Sequence, residues 1–164
     1  MASAKLFVVL ILLVISSCEK SNPDAQLPDT VTANVNGSAW EKKACWSCMG
    51  GGSALRVSYQ DSLFTLSAED NARMIILTFG IHRVNAVGVY ELTTRDKNFG
   101  RLTDGNSVGR DYFTNNQKRG KFTVTQLDLV KKTMSGTFEF EASDLSNPNL
   151  TVKVLNGNFN VKLD

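Results

Sequence analysis

Histidine is nearly absent from this 164-residue chain, which has only His82. A nucleophilic triad or a His-rich metal centre would have to be built on that one imidazole. Its surroundings, Phe79-Gly80-Ile81-His82-Arg83-Val84, hold no serine elbow and no acidic partner at a recognisable spacing. His82 therefore reads as a surface residue at a strand end. A charge excess of either sign is also lacking, since 18 Lys+Arg against 16 Asp+Glu leave a net charge of +2. No basic stripe is available to neutralise phosphates, so nucleic acid is not an expected partner. Only 3 prolines and no charge run, beside 12 glycines, describe a turn-rich folded chain, neither disordered nor collagenous. Long apolar runs are missing as well: the longest, Leu6 to Ile15, has ten residues and would span about 15 Å as a helix, half a bilayer's hydrocarbon core.

That short run is informative in its position. It follows Met1 and a single cation, Lys5, as a signal-peptide h-region does. The next residues, Ile15-Ser16-Ser17-Cys18, resemble the lipobox of bacterial lipoproteins: a branched apolar residue, two small residues, then the cysteine that is acylated and becomes the first residue. The chain is thus expected to comprise a signal peptide (1–17), an acylated Cys18 with a flexible tether (18–29), and a single β domain (30–164). The tether EKSNPDAQLPD is polar, contains Pro23 and Pro28, and has too little apolar surface to fold alone. Acyl chains on Cys18 would hold the protein on the membrane, each methylene contributing about 0.8 kcal/mol. Resemblance to lipoproteins implies the outer membrane of a cell envelope, because residue 19 is Glu and not the Asp that commonly retains such proteins at the inner membrane.

From Asp29 onward no 11-residue window shows helical periodicity, whereas period-two segments recur between turn residues. An all-β domain is predicted, an antiparallel β-sandwich or closed β-barrel of about ten strands with hairpin connections. Folding the first segment about Asn36-Gly37, a favoured type I′ pair, sets Ala33 against Trp40, Asn34 against Ala39 and Thr32 against Glu41, with Val31, Ala33, Val35 and Trp40 inward. The same operation at Asn156-Gly157 pairs Val154 with Phe159, Val152 with Val161 and Leu150 with Leu163, predicting a second hairpin with one buried face. Further strands are expected over 54–59, 62–68, 74–79, 87–92, 111–114, 121–125 and 136–142. Met74 to Phe79, apolar on both faces, is expected to be a central strand covered on both sides. Connections are expected over 49–53, 93–110, 126–134 and 143–149. The longest, 93–110, carries Arg95, Asp96, Lys97, Arg101, Asp104 and Arg110, and is a reasonable place to look for function.

Four local patterns occur in order: Val35-Asn36-Gly37-Ser38-Ala39-Trp40, Gly88-Val89-Tyr90-Glu91-Leu92, Ser135-Gly136-Thr137-Phe138-Glu139-Phe140 and Asn156-Gly157-Asn158-Phe159-Asn160-Val161. Together they make the chain resemble a family of uncharacterised small lipoproteins common in Bacteroidota. The resemblance implies an envelope location and a β fold, and it carries no catalytic residue.

Cys45-Trp46-Ser47-Cys48, followed by Met49 and three glycines, is the sharpest chemical pattern. Haem attachment would need His at position 49. Thiol-redox catalysis wants the pair at a helix N-terminus, and structural zinc needs two more ligands. The remaining reading is a local Cys45–Cys48 disulfide, worth about 2 kcal/mol for so small a loop, or two unpaired thiols. Asp96 to Arg101 departs from a calcium loop at Gly100, Arg101 and Ser107. Glu139 and Glu141 share a strand face opposite Phe138 and Phe140, toward solvent, and do not read as a glycosidase dyad. No catalytic residue is assigned, and no metal or cofactor is expected. The expected role is non-enzymatic contact at the envelope, with the membrane reached through the lipid and an envelope protein or glycan as partner. The alternatives are a small-ligand or carbohydrate binder using Phe64, Phe79 or Tyr90, and a thiol-redox protein using Cys45 and Cys48.

Overall fold

A computed structural model describes residues 29–44, 53–106 and 109–164. The readings at Cys18, Cys45 and Cys48, and those of the signal peptide and most of the tether, lie outside the described residues.

The described chain is all-β and antiparallel. Its strands are β1 (Thr30–Val35), β2 (Ser38–Glu41), β3 (Leu55–Gln60), β4 (Leu63–Asp70), β5 (Ile75–Ile81), β6 (Gly88–Leu92), β7 (Phe99–Asp104), β8 (Arg110–Phe113), β9 (Gly120–Asp128), β10 (Thr133–Asp144) and β11 (Thr151–Lys162). They form one curled sheet in the order β2-β1-β11-β10-β8-β7-β5-β4-β3, and β9, with β6 at its side, also pairs β10. The long strand β10 makes the curl possible. Its first part, Thr133 to Phe140, pairs β9, while Ser143 and Asp144 pair Phe113 and Tyr112 of β8. The sheet divides there and its two halves face one another, an architecture between a sandwich and a half-barrel.

The first hairpin has the predicted register, Thr32 to Glu41, Ala33 to Trp40 and Asn34 to Ala39. Both turn residues are left-handed, Asn36 at φ 49° and Gly37 at φ 84°, as a type I′ turn demands. The second predicted hairpin does not form: β11 runs unbroken through Asn156-Gly157, between β10 and β1. Against β10, Phe138 faces Gly157 but Phe140 faces Val154. Against β1, Thr32 faces Asn158 but Asn34 faces Leu155. One residue has been inserted, and Asn156 at φ 53° is that bulge. Inward positions consequently switch from even (Val152, Val154) to odd (Gly157, Phe159, Val161, Leu163). A hairpin tip and a bulge demand the same switch in the apolar pattern, which is why the sequence reads equally well as either. Gly157 is required inside, because a β-carbon there would collide with the Phe138 ring and carbonyl.

Two further expectations are corrected. The charged connection expected over 93–110 contains β7, which pairs β5 on one side and β8 on the other. The predicted central strand begins at Ile75; Met74 sits in the preceding turn at φ 55° and is half exposed. β5 does lie between β4 and β7 with Leu77, Phe79 and Ile81 fully covered, but on the other face Gly80 alone is buried, under Phe99, while Ile76 and Thr78 are half-buried. The connection expected over 126–134 shrinks to a turn at 129–132, and β10 continues to Asp144.

The core is phenylalanine-rich. Phe64 and Phe79 of one half meet Phe122, Phe138, Phe140 and Phe159 of the other at centroid distances of 4.7 to 6.2 Å, and Phe122 stacks on Phe159 at 4.6 Å. Leu66, Leu77, Leu92 and Met134 close the gaps around them. Rings in such tilted contact add about 0.5–1.5 kcal/mol per pair beyond area burial.

Candidate functional site

Of the aromatics that the alternative ligand-binding reading places in a pocket, Phe64 and Phe79 are fully buried against other rings in the core. Tyr90 is half-buried, and its hydroxyl donates to the Ala86 carbonyl at 2.8 Å. Charged side chains gather instead on the outer face of the sheet.

On that face, register brings together residues far apart in sequence. Glu91 of β6 lies opposite Lys121 of β9, and Lys121 lies opposite Glu139 of β10. One step along, Glu141 faces Lys153 of β11 and also receives Lys118 from the β8–β9 connection, with Nζ–carboxylate distances of 2.8 and 3.0 Å. These hydrogen bonds, Lys153 first and Lys118 second, hold the Glu141 carboxyl below its ordinary range. Glu141 in turn holds the Lys153 ammonium above its own.

The result is a groove of about 290 Å³ whose charges, Glu91, Lys121 and Glu139, alternate from strand to strand, with Arg119, Glu141 and Leu155 also lining it. Leu155 is 43% exposed because it stands beside the β11 bulge. Across Lys121 and Glu139 the groove continues into a polar depression of about 410 Å³ that also holds Thr123, Thr137, Asn156 and Asn158. The bulge therefore sits where two depressions meet, a common use of an inserted residue.

A second cluster lies on the outer face of β7 and β8, joining Arg95, Arg101 and Thr103 of the charged segment over 93–110 to Asp111 and Phe113 just beyond it. Arg101 donates to the same Asp111 oxygen from Nε at 3.0 Å and Nη2 at 2.7 Å, and the Thr103 hydroxyl donates to it at 2.7 Å. Partial burial pushes the Asp111 carboxyl up, but Thr103 and Arg101 outweigh it and the net direction is down. Arg95 and Arg101 lie over the Phe113 ring, at 4.8 and 5.3 Å from its centre. With its carboxylate and ring both engaged, this cluster fastens β7 to β8 and carries no free reactive group.

The other singled-out residues are placed as follows. His82 is exposed directly after β5. Glu139 and Glu141 face outward while Phe138 and Phe140 are buried, as predicted. Asp96 is exposed, its carboxyl held below the ordinary range by the Thr94 hydroxyl. Among the described residues no group of three His, Cys, Asp or Glu side chains is placed to hold a metal ion. The buried carboxylates Asp70 and Asp144 close turns, accepting backbone N–H groups of Ala72 and Arg73 and of Ser146 and Asn147.

The groove is a surface feature of an all-β domain whose centre is filled by phenylalanines, and a cavity of about 750 Å³ opens at one end of the sheet beside Leu55, Val57, Lys132 and Leu163. The chain belongs to the family described as a domain of unknown function (DUF6252), whose profile matches residues 51–161. The patterns at 88–92, 135–140 and 156–161 fall within that match, whereas the first hairpin, Cys18, Cys45 and Cys48 precede it. No curated protein and no solved structure matches the chain.

Proposed function

We propose that this is a lipid-anchored protein of the cell envelope, held at the outer membrane through Cys18, that acts by contact and not by catalysis. The single observation that carries this reading is the filled core. Phe64, Phe79, Phe122, Phe138, Phe140 and Phe159 occupy the space in which a barrel of this kind would hold a ligand. The outer groove supplies the contact surface. Its charges alternate at the spacing of adjacent strands, and a leucine stands exposed among them. That pattern suits a polypeptide of complementary charge better than a neutral glycan, which would favour an exposed aromatic platform.

The test has two steps. Protein isolated from its host's membranes is weighed intact, and the expected mass is that of a chain beginning at an acylated Cys18. A photo-crosslinking residue replacing Leu155 is then activated in whole cells. A discrete protein adduct, reduced at least tenfold by Lys121→Glu with Lys153→Glu, is the expected result. An unacylated chain refutes the anchor, and an adduct indifferent to the charge reversals refutes the groove.

A further inference from the structure

The turn joining β9 to β10 presents its most apolar residues to water. Val130 is 95% exposed and Leu129 54%, and the exposed Lys131 and Lys132 follow. The turn's backbone does not need those side chains. The Asp128 carboxylate closes it by accepting the N–H groups of Val130 and Lys131 at 3.0 and 2.8 Å, and that works with any residues there.

The position of the turn supplies a reason for its composition. Thr133 pairs Asp128 on one side and Lys162 on the other. The Lys162 N–H donates to the Asp29 carboxylate at 2.8 Å, and the Leu163 N–H donates to the Lys132 carbonyl at 2.8 Å. Four neighbouring strands thus set the turn and residue 29 at the same end of the sheet, three strand spacings or about 15 Å apart. Lys42, which follows β2 and whose N–H donates to the Val31 carbonyl, lies at that same end.

We propose that this end of the domain rests on the lipid bilayer. Leu129 and Val130 enter the boundary between headgroups and acyl chains, and Lys131, Lys132 and Lys162 meet lipid phosphates. This inference rests on the anchor read at Cys18. Ten residues lie between Cys18 and Asp29, a coil of about 17 Å, so an acylated Cys18 keeps the turn within reach of the membrane. The carboxylates of Asp29, Asp128 and Asp164 share this end and oppose the lysines, since accepting a backbone N–H, as Asp29 and Asp128 do, leaves their charge in place. The apolar tip therefore carries the contact, and the cations orient it.

The experiment uses the full processed chain in vesicles of phosphatidylethanolamine and phosphatidylglycerol. p-Benzoylphenylalanine replaces Val130 in one sample. In the other it replaces Gln117, an exposed residue on the β8–β9 connection near Glu141, at the opposite end of β10 and β11. After irradiation, position 130 is expected to form phospholipid adducts at least tenfold more often than position 117. Leu129→Asp is expected to lower the adduct at 130 at least fivefold. Equal yields at the two positions, or only protein adducts at 130, overturn the inference while leaving the anchor standing. A chain without acyl mass that fails to sediment with the vesicles overturns the anchor, and the inference with it.

Discussion

Deleting Asn156 should be tolerated, whereas deleting Asn158 along with it should not. The bulge absorbs one extra residue, so that Val152 and Val154 before it and Gly157, Phe159, Val161 and Leu163 after it all point inward. Without Asn156 those same residues fall at every second position, and the pairs Phe138–Gly157 and Phe140–Val154 join in one unbroken register. The single deletion also removes a non-glycine residue at φ 53°, and its stability is expected within about 2 kcal/mol of the parent. Removing Asn158 as well sets Phe159 directly after Gly157 and turns Phe159, Val161 and Leu163, which are 3, 2 and 3% exposed, outward. At about 1.5–3 kcal/mol for each such side chain, the loss is about 5–9 kcal/mol. Asn160 and Lys162 would turn inward at further cost. A domain of this kind is stable by only about 5–15 kcal/mol, so the double deletion is expected to abolish cooperative folding. Urea titration of the mature chain, followed by circular dichroism in the far ultraviolet, separates these cases. A single-deletion variant that no longer unfolds cooperatively, or a double-deletion variant as stable as the parent, would show that Asn156 is not the residue the strand absorbs.

Phe122→Ala removes the ring stacked on Phe159 and in contact with Phe64 and Phe79, and should cost about 3–5 kcal/mol in the same titration. Trp40→Phe should cost no more than about 1 kcal/mol, because the buried indole Nε1 has no hydrogen-bond partner and its removal offsets the lost volume. The depressed carboxyl of Asp111 binds its proton less readily folded than unfolded, so its contribution to stability is present above the ordinary value of 3.8 and lost as pH falls through the lower folded value. Asp111→Asn should accordingly flatten the acid limb of a stability–pH curve and leave its slope near neutrality unchanged. Lys153→Ala breaks a solvent-exposed ion pair and should shift stability by at most about 1 kcal/mol, read from the urea midpoint.

The sequence disclosed those features that depend on near neighbours. The register of the first hairpin follows from Asn36-Gly37 and four flanking residues, all local. The outward face of Glu139 and Glu141 follows from strict alternation with Phe138 and Phe140. β7 escaped notice because its inward positions are Gly100 and Leu102 while its outward face carries Arg101 and Thr103, so no apolar alternation marks it. β11 was misread because a chain reversal and an inserted residue leave the same apolar trace. The groove was illegible for a different reason: Glu91 beside Lys121, Lys121 beside Glu139, and Glu141 beside Lys153 become neighbours only once the order β6-β9-β10-β11 is known, and that order is set by packing across the whole chain.

The attachment of β1 has a mechanical consequence. β1 enters the sheet at Thr30, immediately after Asp29, and is bonded along its length to β11 on one flank and β2 on the other. Tension arriving at residue 29 acts along the strand axis. The hydrogen bonds to β11 lie across that axis, so they bear the load together in shear and do not peel apart one at a time. The Asp29 carboxylate bond to Lys162 adds a catch at the first point of strain. A domain gripped at its outer groove and pulled from residue 29 would thus resist unravelling from the end that carries the force.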